Sequence, residues 1–182
     1  MSYSEKWVNT TFNIVTGRKI LRNVMTPVGG LIFFSFMTAL IFLSLYIDRV
    51  FRLKSFLPYP ADLIGGSIFM VFGIILAASC VIYFLKSKGT PVPFNPPPIL
   101  LNKGPYAYSR NPMLTGLFLA MFGIGIVINS VTLPFIVTPI FIILNVIELK
   151  KIEEPELEKR LGVEYTEYRK SVPMFFPGRK SN

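Results

Sequence analysis

Histidine is absent from this 182-residue chain, and cysteine occurs once. The first absence removes the commonest general base and the commonest metal ligand together. The second leaves no disulfide framework and no thiolate cluster for a metal. Cys80 lies deep inside an apolar run. A thiol there is a small buried hydrophobe without the electropositive, partly wet surroundings of a reactive thiolate. Chemistry that uses neither metal nor imidazole is therefore expected. Charge is scarce as well: 16% of residues are Asp, Glu, Lys or Arg against 52% hydrophobic, and mean hydropathy is +0.53. Soluble domains rarely reach that balance, so the chain reads as an integral membrane protein.

Residues 25–47 and 63–85 are charge-free runs of 23 residues each. At about 1.5 Å per residue, either crosses a hydrocarbon core of about 30 Å with some tilt. Residues 111–147 carry no charge over 37 positions, too many for one helix at ordinary tilt. The polar pair Asn129 and Ser130 near the middle marks a turn between two antiparallel arms, 113–128 and 131–147. Both arms are short for a span, which implies local thinning of the bilayer or a turn sunk near the far interface. Pro134 and Pro139 are expected to kink the second arm. The expected fold class is all-α: a polytopic membrane protein with four transmembrane helices, the last two a tight hairpin, then a cytoplasmic C-terminal helix and tail. The chain is read as a single membrane domain over 1–182, with an N-terminal interfacial arm (1–24), two anchoring spans (25–85) and a catalytic core (86–182).

The arm lacks the apolar core and cleavage site of a secretory signal, so it is expected to stay on the protein. It reads as a short interfacial helix with Trp7 at headgroup depth, or as a flexible arm. The net charge of +9 comes from 19 Lys and Arg spread over four segments between apolar runs, which suits anionic headgroups and not nucleic acid. Sixteen of them fall in the arm, the 86–110 segment and the tail, and three in the 48–62 connection. That asymmetry predicts both termini, and every chemically interesting segment, on the cytoplasmic face. The sequon at Asn9 would then lie on the wrong side for glycosylation.

Residues 89–116, GTPVPFNPPPILLNKGPYAYSRNPMLTG, are the chemical centre. Prolines at 91, 93, 96, 97, 98 and 105 forbid regular helix, yet the segment is too apolar for a solvated linker. Irregular backbone at membrane depth has to be buried or to line a cavity, which suggests a cofactor or substrate cradle. Arg110 precedes the third span, where a lone guanidinium is costly, so a pair with Glu153 or Glu154 is expected, either as a structural tie or as part of a site. Tyr106 and Tyr108 are explained as interfacial belt residues. Gly123 and Gly125 suggest helix packing and not a phosphate loop. In the tail, Leu157, Leu161, Tyr165 and Tyr168 recur at helical spacing among alternating charges, giving an amphipathic helix with Pro155 at its start or at a kink. The apolar stretch 172–177 is expected to fold back on the membrane face.

GPYAYSRNPMLTG, then a hairpin, then EEPELEKRLGVEYTEYRKSVPMFFP resembles the isoprenylcysteine carboxyl methyltransferase family, and the Glu-Glu-Pro also resembles the related phospholipid methyltransferases. The resemblance covers residues 89–177. It implies S-adenosyl-L-methionine as methyl donor, bound at the cytoplasmic face between the third and fourth spans and the tail. By position, Gly104, Pro105, Tyr106, Arg110, Asn111 and Pro112 would form one side of the cofactor pocket and Glu153 and Glu154 the other. Arg110, Glu153 and Glu154 would be catalytic, and Tyr165 and Tyr168 would position the tail. Carboxylates suit the donor's positive charges and an arginine suits a carboxylate. Methyl transfer needs alignment and dehydration more than a base, so a histidine-free chain can perform it. Asn111 stands where His is frequent in the family, Leu114 where Tyr is usual, and Ser171 and Met174 where an Arg is expected, leaving Arg169 or Lys170 as substitute cations.

The implied partners are the bilayer and a lipid or lipidated acceptor, without metal or nucleic acid. A carboxylate of the isoprenylcysteine type, already ionised at neutral pH, is the first expectation. The ethanolamine of a phospholipid is the alternative; it would need Glu153 or Glu154 as base. Outside this class stand an NADPH-dependent sterol-type reductase, which the small number of spans disfavours, and a non-catalytic scaffold.

Overall fold

The computed structural model describes residues 3–92 and 94–175, without the side chains of Tyr3 and Leu21. Every regular element among them is helical: α1 (Tyr3–Thr16), α2 (Lys19–Val50), α3 (Ala61–Lys86), α4 (Pro112–Val127), α5 (Thr138–Glu148), α6 (Glu154–Leu161) and α7 (Val163–Ser171). A 3-10 turn, Gly104–Ala107, and two π-helical turns, Leu133–Val137 and Leu149–Glu153, complete the set. The arm is thus a helix over Tyr3–Thr16, and not a flexible segment.

Three stretches are long and apolar enough to cross a membrane: Arg22–Val50, Ala61–Lys86 and Leu133–Leu161. α4 is apolar but has only 16 residues, about 24 Å at 1.5 Å per residue. Four apolar segments are present where four spans were expected, and three have spanning length. The fourth segment is long because its helix does not stop at Ile147. It continues through the turn Leu149–Glu153 into α6.

Pro139 and Pro155 each come two residues after a π-turn. A proline inside a helix clashes with the carbonyl four residues back and cannot donate to it. A widened turn absorbs both defects and the helix carries on. Thr138 Oγ1 additionally donates to the Leu133 carbonyl at 2.8 Å. Pro134 needs no such accommodation, because it lies in the first turn, where an N–H has no partner to lose. Charged residues recur from Glu148 onward, so the charge-free part of this segment ends at Ile147.

The chain divides into two compact units. Unit 2 holds Ile32–Ala78 and Met113–Leu144. Within it α3 and α4 pack backbone to backbone through small residues. A Cβ on Gly116 would lie 2.7 Å from the Gly73 carbonyl oxygen, and one on Gly123 2.6 Å from that of Gly66. Gly125 meets Pro134, where a Cβ would be 2.5 Å from Cδ, so both glycines serve packing. The reversal after α4 uses Asn129 at φ 55, a left-handed residue that asparagine tolerates, with Ser130 N–H donating back to the Gly125 carbonyl at 2.9 Å. Asp48 fixes this turn: its carboxylate accepts from Ser130 Oγ, from Thr132 N at 3.0 Å and from Thr132 Oγ1 at 2.6 Å.

Unit 1 holds the described parts of Met1–Leu31, Ser79–Pro112 and Asn145–Asn182. Tyr165, Tyr168 and Val172 form a buried cluster packed by Leu100, Leu157 and Leu161. α1 docks on α6 through Lys159, whose Nζ donates to Asn9 Oδ1 at 2.7 Å and lies 4.2 Å from the centre of the Phe12 ring. Arg22 Nη1 donates to the Val15 carbonyl at 3.0 Å and ties α2 to the end of α1.

Candidate active site

The site begins at a turn that only glycine can make. Lys103 is extended, and Gly104 reverses the chain at φ 60 so that Pro105 enters the 3-10 turn with its φ already set. Any Cβ at 104 would strike the Tyr83 ring, 2.6 Å from its Cε2. The turn buries Tyr106, edge-on to Phe84 with ring centres 5.8 Å apart, so Tyr106 is not a belt residue. Tyr108 is 69% exposed.

The tail closes on the following triplet. Arg110 N–H donates to the Pro173 carbonyl at 2.9 Å, and Asn111 donates to the Met174 carbonyl from its backbone at 3.1 Å and from Nδ2 at 3.3 Å. Ser109 Oγ donates to the same carbonyl at 3.1 Å, and the Tyr168 hydroxyl donates to the Tyr106 carbonyl at 2.6 Å. The described part of the 172–177 stretch thus folds onto Ser109, Arg110 and Asn111. Phe176 and Pro177, and Pro93 of the proline-rich segment, lie outside the described residues.

Arg110 pairs with Glu154, Nη1 to Oε1 at 2.5 Å, with both side chains 10% exposed. Its Nε is buried without a hydrogen-bond partner in the protein. Glu154 Oε2 is also 3.9 Å from Arg169, which binds Glu158 at 2.5 Å. Lys170, exposed, pairs with Glu167 at 2.8 Å.

A cavity of about 520 Å³ lies within unit 1. Of the eight residues expected around a cofactor, Tyr106, Arg110, Asn111, Glu153 and Glu154 line it. Gly104, Pro105 and Pro112 do not; they set the turn and open α4. Neither Arg169 nor Lys170 lines it either. The cation that does is Arg160, whose Nε donates to Glu156 Oε1 at 2.9 Å and whose Nη1 donates to the Pro97 carbonyl at 3.1 Å. Glu148, Glu156, Trp7 and Thr11 also line the cavity and were missed. Glu153, Glu156 and Arg160 follow one another at helical spacing on one face, and that spacing was the available signal. No spacing links Trp7 to residues 140 positions away.

A sequence profile of the family described as phospholipid methyltransferase matches residues 61–164. That is more than half of the chain, and it contains both the Gly104–Pro112 side of the cavity and the Glu153–Glu154 side. The chain belongs to the phospholipid methyltransferase family. Its members are methyltransferases of membrane lipids that generally use S-adenosylmethionine. Searches of curated proteins and of solved structures returned no match.

The electrostatics of this family member's cavity are acidic. Among the described residues that line it, the charged ones are Glu148, Glu153, Glu154 and Glu156 with Arg110 and Arg160. Tyr165 is pushed up to about 12 by burial and by Glu154, against the pull of Arg110. Burial also raises Tyr106 and Tyr168. The tyrosines therefore remain hydrogen-bond donors at any physiological pH.

Proposed function

We infer that this chain is an S-adenosylmethionine-dependent methyltransferase whose donor and acceptor meet in the unit 1 cavity, and that the acceptor is the amine of a membrane lipid. The carrying observation is the acidic cavity, where four carboxyl groups and two guanidiniums surround a space of a size that suits a small cofactor. The donor fits on chemical grounds: its positive charges match the surplus of carboxylates, and the buried, partnerless Arg110 Nε offers a hydrogen bond to its carboxylate. When bound, S-adenosylmethionine supplies an electrophilic methyl group. Arg110, Glu154 and Asn111 hold and orient ligands, Tyr106 and the tail exclude water, and Glu153 handles the proton.

The cavity favours the amine over the carboxylate acceptor expected first. An ammonium headgroup must lose a proton before its nitrogen becomes a nucleophile, and a carboxylate oxygen of Glu153, in the cavity lining, accepts it. A carboxylate acceptor would instead enter among like charges, with Arg160 already engaged by Glu156 and Pro97. Topology follows the same reading. Unit 1 gathers the three segments that carry sixteen of the nineteen basic residues, which supports both termini and the cavity facing the cytoplasm.

The test is to titrate the detergent-purified chain with S-adenosylhomocysteine and NADPH, then to supply labelled S-adenosylmethionine with phosphatidylethanolamine or a prenylated cysteine. Binding of the first nucleotide and label in the phosphatidylethanolamine are expected. Label in the prenylated cysteine alone would restore the carboxylate reading, and binding of NADPH alone would replace the methyltransferase with a reductase.

A further inference from the structure

α1 lies wholly outside the matched residues 61–164, yet it carries Trp7 and Thr11, one helical turn apart, into the cavity wall. The docking is specific: Lys159 bonds Asn9 and covers Phe12, and Val15 is buried. An indole and four carboxyl groups therefore share one space, with Trp7 47% exposed. Carboxylates recognise an ammonium through its N–H groups. A cation without N–H, such as a sulfonium or a fully alkylated ammonium, offers them charge but no hydrogen bond. The face of an indole attracts such a cation directly.

We propose that Trp7 is a specificity-determining residue of the site, contributed by α1, whose ring recognises an onium group: the sulfonium of the donor or the alkylated ammonium of a lipid. This rests on the methyltransferase reading above. Two sources of the same chemistry are separable, because S-adenosylhomocysteine lacks the sulfonium and an ethanolamine lipid lacks the N-methyl groups.

Trp7 is the only tryptophan, so intrinsic fluorescence of the full chain in detergent reports this ring alone. We would titrate it with S-adenosylmethionine against S-adenosylhomocysteine, and with a choline lipid against an ethanolamine lipid. The larger response to the onium member of one pair identifies the source. Calorimetric titration of Trp7→Leu should then show affinity for that ligand weakened about tenfold, with S-adenosylhomocysteine binding unchanged, while Trp7→Phe stays within about threefold of the native chain. Equal weakening of every ligand in Trp7→Leu would make the residue a packing element and overturn the proposal, as would unchanged affinities. A native chain that binds neither nucleoside overturns the methyltransferase reading and this inference together, whereas normal binding with an indifferent Trp7 overturns this inference alone.

Discussion

Breaking the pair between Arg110 and Glu154 separates a structural tie from a ligand-binding group. Both side chains are 10% exposed and 2.5 Å apart, so removing either partner strands a charge in a poorly hydrated place. Such a change costs about 3–5 kcal/mol. For a chain of this size that corresponds to a fall in melting temperature on the order of 10 °C. Cys80, the single thiol and fully buried, allows unfolding to be followed by reaction with a thiol-specific dye in detergent. Arg110→Met and Glu154→Leu should each show this fall. The double variant replaces the pair by apolar side chains and should recover to within about 3 °C of the native chain, since such replacements are often neutral or stabilising. If Arg110 and Glu154 also hold the cofactor, affinity for S-adenosylhomocysteine stays lost in the double variant. Recovery of affinity in step with stability would refute the binding role and leave a structural tie. Single variants that melt like the native chain would refute the reasoning about burial.

Glu153→Gln removes the proposed proton acceptor from the cavity wall and should slow amine methylation by about a hundredfold, with S-adenosylhomocysteine affinity retained in a binding titration. Gly162→Ala meets open space at φ 62 and should cost only backbone strain, about 1–3 kcal/mol, without changing S-adenosylhomocysteine affinity. Gly104→Ala adds a collision with Tyr83 and should lose both stability and affinity. Asp48→Ala strands Ser130 and Thr132 in unit 2 and should lower stability by about 3 kcal/mol or more, while binding measured on the folded fraction is unchanged.

The helices and the two sides of the cavity were legible because their signals are local. Charge-free runs of fixed length announce apolar helices whatever surrounds them, Gly104 and Pro105 dictate their own turn, and the Asn129–Ser130 pair marks a reversal that Asp48 then secures. Local rules failed where a neighbouring turn could change their meaning. Pro155 could read as a helix start, yet a π-helical turn before it, like the one before Pro139, lets the helix continue, and one segment gains a spanning length that its partner α4 lacks.

By itself, then, the sequence determined an all-helical membrane chain, the two motifs that face each other across a cavity, and the need of Arg110 for a carboxylate. Only the tertiary structure decided that the carboxylate is Glu154, that Arg160 and not Arg169 or Lys170 is the second cation in the cavity, that Tyr106 is buried, and that α1 brings Trp7 to the wall. The physical reason is range. Helix formation and turn chemistry act over a few residues, whereas a pair 44 positions apart or a helix docked from the other end of the chain is selected by packing, which no spacing in the sequence records.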